Sequence, residues 1–186
     1  MRAGLILALV IVTAIAVISG GNSAVATAKL GGASAPKAAA KAMATLDSKS
    51  GSTLTGKATF MEKSGGVEIK VEISGAKPGM HGIHLHETGD CSAPDAKSAG
   101  GHFNPDGTSH GAPDADPHHA GDLGNISVGA NGKGSLRIFA KGLTVGPGPH
   151  SVVGRALVVH ADPDDLKSQP AGNSGARFSC GVVTAM

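Results

Sequence analysis

Residues 67–74 read VEIKVEIS and residues 80–91 read MHGIHLHETGDC, with a Lys-Pro-Gly turn at 77–79 between them. The first run alternates apolar and charged residues, the period-two pattern of a strand with one buried face. The second run keeps that period. If residues 80–87 form a strand, His84 and His86 point to one face, and His81 shares the other with Ile83 and Leu85. His81 therefore reads as buried and structural, whereas the pair at i, i+2 is aimed at a common target.

The same pattern recurs along the chain. Residues 53–62 (TLTGKATFME) place Leu54, Ala58 and Phe60 on one face, and Ser64-Gly65-Gly66 turns them into the 67–74 strand. Ile126, Val128 and Ala130 alternate into Asn131-Gly132, and Leu136 and Ile138 alternate out of it, the strongest hairpin signal in the chain. Residues 152–160 and 178–184 supply the last strands. Short alternating runs, Gly-rich turns and no convincing helix predict an all-β fold, a Greek-key β-sandwich or flattened eight-stranded barrel. Two long polar segments interrupt it. Residues 89–120 hold four histidines and hardly an apolar residue beyond Phe103, and residues 161–176 are similarly polar. Loops beyond about 12–15 residues are uncommon in compact domains unless functional or disordered, so both are expected to serve the site.

Arg2, an uncharged apolar run over residues 5–18 and the small residues Ala24–Ala28 form the pattern of a secretory signal peptide over residues 1–28. An uncleaved anchor is the alternative, although the run is short of the roughly 20 residues of a membrane span. Residues 29–43, rich in Ala, Lys, Gly and Ser, read as a flexible spacer. Residues 44–186 are the size of one domain. The protein is expected to be exported, periplasmic or extracellular, with no membrane partner once the leader is removed.

The chain carries 16 basic and 14 acidic residues. Leaving out Arg2, Lys29, Lys37 and Lys41, the domain has 12 against 14, a net of −2, so the composition holds no basic binding face. Without Trp or Tyr it also lacks stacking platforms, and nucleic acid is excluded as a partner. In an exported protein the two cysteines most simply form one disulfide, Cys91–Cys180, with two buried free thiols as the alternative.

Nine histidines in 186 residues are an excess, and their placement is ordered. His84 and His86 share a strand face; His102, His110, His119 and Asp122 sit in or leave the long loop; His160 ends the apolar run GRALVVH. Imidazole nitrogens suit copper and zinc, and geometry separates the two metals. Three histidines and a carboxylate make a closed tetrahedral site of the structural zinc type. Seven such residues make two four-ligand sites only if one histidine serves both, which a deprotonated imidazole allows through its two nitrogens.

The segments HGIHLHETGDC (81–91), SAGGHFNP (98–105), HHAGDLGN (118–125), GRALVVHADPDD (154–165) and GNSGARFSCGVV (172–183) together resemble, in order, the signature segments of the copper/zinc superoxide dismutases. The similarity runs from about Leu54 to the C-terminus. It implies a superoxide dismutase that converts superoxide to dioxygen and hydrogen peroxide by alternate reduction and reoxidation of histidine-bound copper beside a structural zinc. It implies copper at His84, His86, His102 and His160. It implies zinc at His102, His110, His119 and Asp122, with His102 as the bridge and His119 rather than His118 as the ligand. Asp164 matches the carboxylate that ties a copper histidine to a zinc histidine, here His84 and His110. Arg177 matches the arginine that draws the anion to copper. Non-enzymatic metal-binding relatives tend to lose part of this set, and this chain keeps all of it. Two departures stand out. The stretch from Cys91 to His102 is longer than in the familiar eukaryotic enzymes, as bacterial exported forms have it. The stretch from His160 to Cys180 is shorter and lacks the acid-rich, lysine-bearing portion that steers substrate. A homodimer is compatible with the resemblance, and the surfaces that would form it are not specified by the motifs.

Overall fold

A computed structural model describes residues 40–186; the expected signal peptide and most of the expected spacer lie outside the described residues. Nine strands follow one another: β1 (Lys41–Ser48), β2 (Thr55–Lys63), β3 (Gly66–Ser74), β4 (Gly79–His86), β5 (Asp122–Val128), β6 (Lys133–Lys141), β7 (Ala156–His160), β8 (Arg177–Val182) and β9 (Thr184–Ala185). They hydrogen-bond in the order β2-β3-β6-β5-β4-β7-β8-β1-β9, all antiparallel, and β1 pairs again with β2. That second pairing closes an eight-stranded barrel and leaves β9 as a short extra strand on β1. Closure removes the unpaired edges that an open sheet would expose. The expected all-β barrel is the observed fold.

The alternating residues fill the interior. Phe60, Ile69, Val71, Ile83, Leu85, Ile126, Leu157 and Val159 are all almost fully buried in one core. Asn131 and Gly132 turn β5 into β6, with Gly132 in the left-handed region at φ 71°, where glycine carries no Cβ penalty.

Besides shifts of a residue or two at strand ends, three departures from the sequence expectation stand out, the first being β1 itself, which the alternation did not announce as a strand. β1 takes its first three residues, Lys41–Met43, from the stretch read as spacer. Its inward residues are Ala42, Ala44 and Leu46, so the apolar half of the alternation is mostly alanine and gives little hydrophobic contrast. Residues 152–155 are not part of β7; Arg155 N–H donates to the Val152 carbonyl in a turn through Gly154 (φ 80°). Thr184 belongs to β9, separated from β8 where Val183 N–H turns to the Arg155 carbonyl.

The loop between β4 and β5 is stitched to the barrel rather than left over it. Phe103 N–H donates to the Leu85 carbonyl, Leu85 N–H to the Gly121 carbonyl and Gly121 N–H to the Phe103 carbonyl. The Phe103 ring is buried in the core, and the Arg155 guanidinium lies 4.2 Å above its centroid. Cys91 and Cys180 form the chain's one disulfide, which joins this loop to β8 across a separation of 89 residues. Ala96, Ala99, Ala156, Val158 and Cys180 make a small second core outside the barrel wall, beneath the loop.

Candidate metal centre

On β4, Ile83 and Leu85 enter the barrel core, so the pleat turns His84 and His86 outward. Outward here does not mean exposed. The two long loops cover both side chains, which are 0% and 1% accessible. β7 lies beside β4, with His84 opposite Val158 and His86 opposite Ala156. His160 lies two residues beyond Val158, on the side that Val158 and Ala156 turn to the second core, and its ring centroid is 4.9 Å from that of His84. The loop supplies His102, bridged to His86 in the backbone and stacked on His84 with centroids 3.9 Å apart.

These four histidines form one group whose ligand atoms all lie within 4.8 Å of one another. His84 Nδ1, His86 Nε2, His102 Nε2 and His160 Nε2 are buried without any hydrogen-bond partner. Four orphaned nitrogens in one spot are contrary to the rule that buried polar atoms are satisfied, and a metal ion is what satisfies them. The opposite nitrogen of each ring is engaged or aimed elsewhere. His84 Nε2 is 2.8 Å from Asp164 Oδ2, His86 Nδ1 donates to the Gly100 carbonyl at 3.0 Å, and His160 Nδ1 to the Gly175 carbonyl at 3.4 Å. Those contacts orient the rings and leave the lone pairs converging. Burial, reinforced by the neighbouring imidazoles, holds His84 well below the ordinary histidine pKa. Burial and then Arg177 do the same for His86, and burial brings His160 to about 4. All three are neutral near pH 7, the form that ligates metals.

His102 also belongs to the second group, with His110, His119 and Asp122. Asp122 Oδ1 lies 2.8 Å from His102 Nδ1, 3.0 Å from His110 Nδ1 and 3.2 Å from His119 Nδ1. His119 Nδ1 and His102 Nδ1 are 3.4 Å apart. A tetrahedron with metal–ligand distances of about 2.0–2.1 Å has edges of about 3.3 Å, so three nitrogens and one oxygen at these spacings fit zinc. The other carboxylate oxygen is occupied, accepting the His119 and Gly111 backbone N–H groups at 2.8 and 3.1 Å. Burial alone would raise the Asp122 pKa; hydrogen bonds from His102, His119 and Gly111 outweigh it and hold the group well below the usual carboxylate range. His102 thus presents Nε2 to one group and Nδ1 to the other.

Asp164 joins the two groups from behind. Its Oδ2 faces His84 Nε2, and its Oδ1 accepts from His110 Nε2 at 3.0 Å and from Leu166 N–H at 2.7 Å. Asn125 fixes that carboxylate's backbone through both amide atoms: Asp164 N–H donates to Asn125 Oδ1, and Asn125 Nδ2 donates to the Asp164 carbonyl. Gly172 (φ 64°) closes over Asp164; a Cβ there would overlap Asp164 Oδ1 and lie 2.7 Å from His110 Nε2. Arg177 is the first residue of β8, opposite His160. Its guanidinium donates to the Ala96 carbonyl at 2.8 Å and the Gly100 carbonyl at 2.7 Å. Ala96 is itself in the left-handed region at φ 57°, just before a single 3-10 turn at Lys97–Ala99.

The structure therefore brings together the seven metal-ligand candidates, Asp164 and Arg177. His81 stands apart, buried with Nδ1 2.8 Å from the His160 carbonyl and Nε2 2.9 Å from the Lys77 carbonyl. His118 donates to the His119 carbonyl, and His150 meets Asp106 at the surface. Sequence reading gave no role to Asn125, Gly100 or Gly172. Gly100 and Gly172 act through backbone position alone, which no residue type announces. Asn125 lay inside a recognised segment, and its pairing with a residue 39 positions away was not visible there.

The family model described as copper/zinc superoxide dismutase (SODC) matches residues 54–183. Among solved structures, one titled "Crystal Structure Analysis of the clock protein EA4" superposes with a TM-score of 0.73 at 34% identity, covering 81% of this chain and 97% of that one.

Proposed function

The chain belongs to the copper/zinc superoxide dismutase family, an enzyme family that uses both metals, and on that premise we propose an exported dismutase with a defined division of its ligands. Copper is assigned to His84, His86, His102 and His160; zinc to His102, His110, His119 and Asp122. The observation that carries the assignment is the set of four partnerless nitrogens on one side of His102 and the carboxylate-centred set on the other.

Held there, copper would supply a one-electron couple for the two halves of dismutation, the second of which also takes up two protons, and zinc would supply a fixed positive charge beside His102. The protein's own groups do the rest. The carbonyls behind His86 and His160 and the carboxylate behind His84 keep those rings in the tautomer whose free nitrogen faces the metal. His102 turns Nε2 to one site and Nδ1 to the other, so that one ring would serve both metals. Arg177, pinned by two carbonyls and half-buried, presents a fixed cation that attracts a small monovalent anion. Asp164 ties the two sites into one rigid unit.

The Cys91–Cys180 disulfide points to an oxidising, non-cytosolic compartment. Together with the leader-like composition of residues 1–28, it supports a periplasmic or extracellular enzyme. The test is metal content and superoxide dismutation of the purified mature protein, with two variants. His86→Ala should lose copper and keep zinc, whereas His102→Ala should loosen both. Equal loss of zinc from the His86 variant would refute the division.

A further inference from the structure

The barrel wall opposite the metal centre carries a charge pattern that the composition conceals. Around the closed barrel, β2 stands across from β4 and β3 across from β7, so the outer face of β1, β2, β3 and β6 looks away from the copper histidines. Strand parity decides what that face displays. It bears Lys41 on β1, Lys57 and Lys63 on β2, Lys70 on β3, and Lys133, Arg137 and Lys141 on β6. Against these seven stand three acids, Asp47, Glu68 and Glu72, giving a net +4. The other described residues carry six basic and eleven acidic groups, a net −5. A domain that is nearly neutral overall is thus sharply divided, and the expectation of no basic face is corrected.

The ion pairs on this face leave much of its charge free. Lys57 meets Glu72 at 3.0 Å, while Arg137 and Lys70 share Glu68. Lys41, Lys63, Lys133 and Lys141 form no direct ion pair among the described residues. Large apolar side chains are interleaved with them. The register sets Lys41, Met61, Glu68 and Phe139 in one row across β1, β2, β3 and β6, and Met43, Thr59, Lys70 and Arg137 in the next. Met186, hydrogen-bonded to Lys41 through its N–H, lies at the end of the first row. Phe139 is 45% exposed, Met43 38% and Met186 74%, three of the five large apolar residues exposed among the described residues.

We propose that this face docks on an anionic lipid surface. Lysines at the rim with an exposed Phe and two Met between them suit the headgroup–acyl boundary, where cations meet lipid phosphates and apolar side chains enter the interface. A soluble polyanion would be served by the charges and would have no use for Phe139. In the sequence just ahead of β1 come two further lysines, Lys29 and Lys37. Docked this way, the metal centre faces solvent and stays open to superoxide. This is attachment to a surface rather than insertion, and no helix among the described residues is long and apolar enough to cross a membrane. It revises the expectation that the mature protein has no membrane partner. It goes beyond the dismutase reading and does not depend on it.

The test is sedimentation of the mature, metal-loaded protein with vesicles, either pure phosphatidylcholine or with about one-third phosphatidylglycerol. Binding is expected to the anionic vesicles only, and to weaken as salt is raised. At about 1 kcal/mol per lysine near an anionic surface, Lys133→Gln with Lys141→Gln should lower the partition coefficient roughly 30-fold, with dismutase activity and metal content unchanged. Phe139→Ser should lower it further. Three results would overturn the proposal. One is no binding to anionic vesicles at low salt. Another is binding indifferent to the lysine pair, or binding indifferent to Phe139→Ser and matched by heparin, which would assign the face to a soluble polyanion. The third is self-association of the wild type that the lysine pair abolishes, which would assign it to the acidic side of a second copy.

Discussion

Replacing Gly172 by alanine tests whether Asp164 holds the zinc side of the centre in place. Gly172 has φ 64°, and its missing Cβ is the space that Asp164 Oδ1 occupies. Alanine there meets two penalties. The left-handed backbone costs a non-glycine residue about 1–2 kcal/mol. The methyl group also overlaps Oδ1, the oxygen that accepts from His110 Nε2 and Leu166 N–H, and lies 2.7 Å from His110 Nε2 itself. The collision falls on the His110 side of the carboxylate; the His84 contact runs through Oδ2. Losing an outer hydrogen bond to a ligating histidine typically weakens metal affinity 10–100-fold. Zinc retention should therefore fall by that factor, about 1.4–2.7 kcal/mol, and copper retention by less. Gly107→Ala is the matched control, with φ 66° and nothing within 4 Å of the added Cβ. It should show the backbone penalty in melting temperature and leave both metals in place. The assay is competition with graded chelators, read for zinc and copper separately, beside thermal melts of the metal-free forms. Wild-type zinc retention in Gly172→Ala, or equal zinc loss in Gly107→Ala, would refute the reasoning.

Arg177→Lys keeps the charge but not the planar fork that reaches both the Ala96 and Gly100 carbonyls, and Arg177→Ile keeps neither. Dismutation should fall in that order, by about tenfold or more for Ile, with metal content intact. Added salt should slow the wild type more than the Ile variant in stopped-flow assays, and full low-salt activity of the Ile form would contradict the role. The metal-free protein should lose stability on acidification. His84, His86 and His160 are held neutral by burial, with folded pKa values below the unfolded one, so their contribution is whole above about pH 6.5 and is lost as pH falls, for His160 through about 4. Denaturant titrations at pH 7.5 and 5 check this, and equal stability at the two would count against it. Ser179 is fully buried with a partnerless hydroxyl, so Ser179→Ala should stabilise the protein by about 1 kcal/mol, a few degrees in melting temperature. A lowered melting temperature would show that the hydroxyl is satisfied.

The sequence by itself determined the strands that have contrast. VEIKVEIS alternates large apolar residues with charges, and period two needs only local spacing to say which side is inward. The same parity set His84 and His86 on one face, away from Ile83 and Leu85, but left the direction of His160 open at the strand end, where the register shifts between Val159 and His160. It failed where the inward residues are small: β1 presents Ala42, Ala44 and Leu46, so the strand was not read and its first three residues were assigned to the spacer. The ligand residue types were legible because imidazole and carboxylate chemistry is rare in so dense a cluster. Spacing alone did not give their partition, which only the resemblance implied, because which nitrogen of each ring stays free depends on the group behind it. Those groups are the carbonyls of Gly100 and Gly175 and the Asp164 carboxylate, 14, 15 and 80 positions from the rings they orient. The basic face is likewise a product of folding. Four strands, three of them adjacent in the chain and the fourth some sixty residues on, bring their outward lysines together only when β3 pairs with β6. A sum over residues cancels such a pattern, because net charge carries no direction, and only the register of the barrel supplies one.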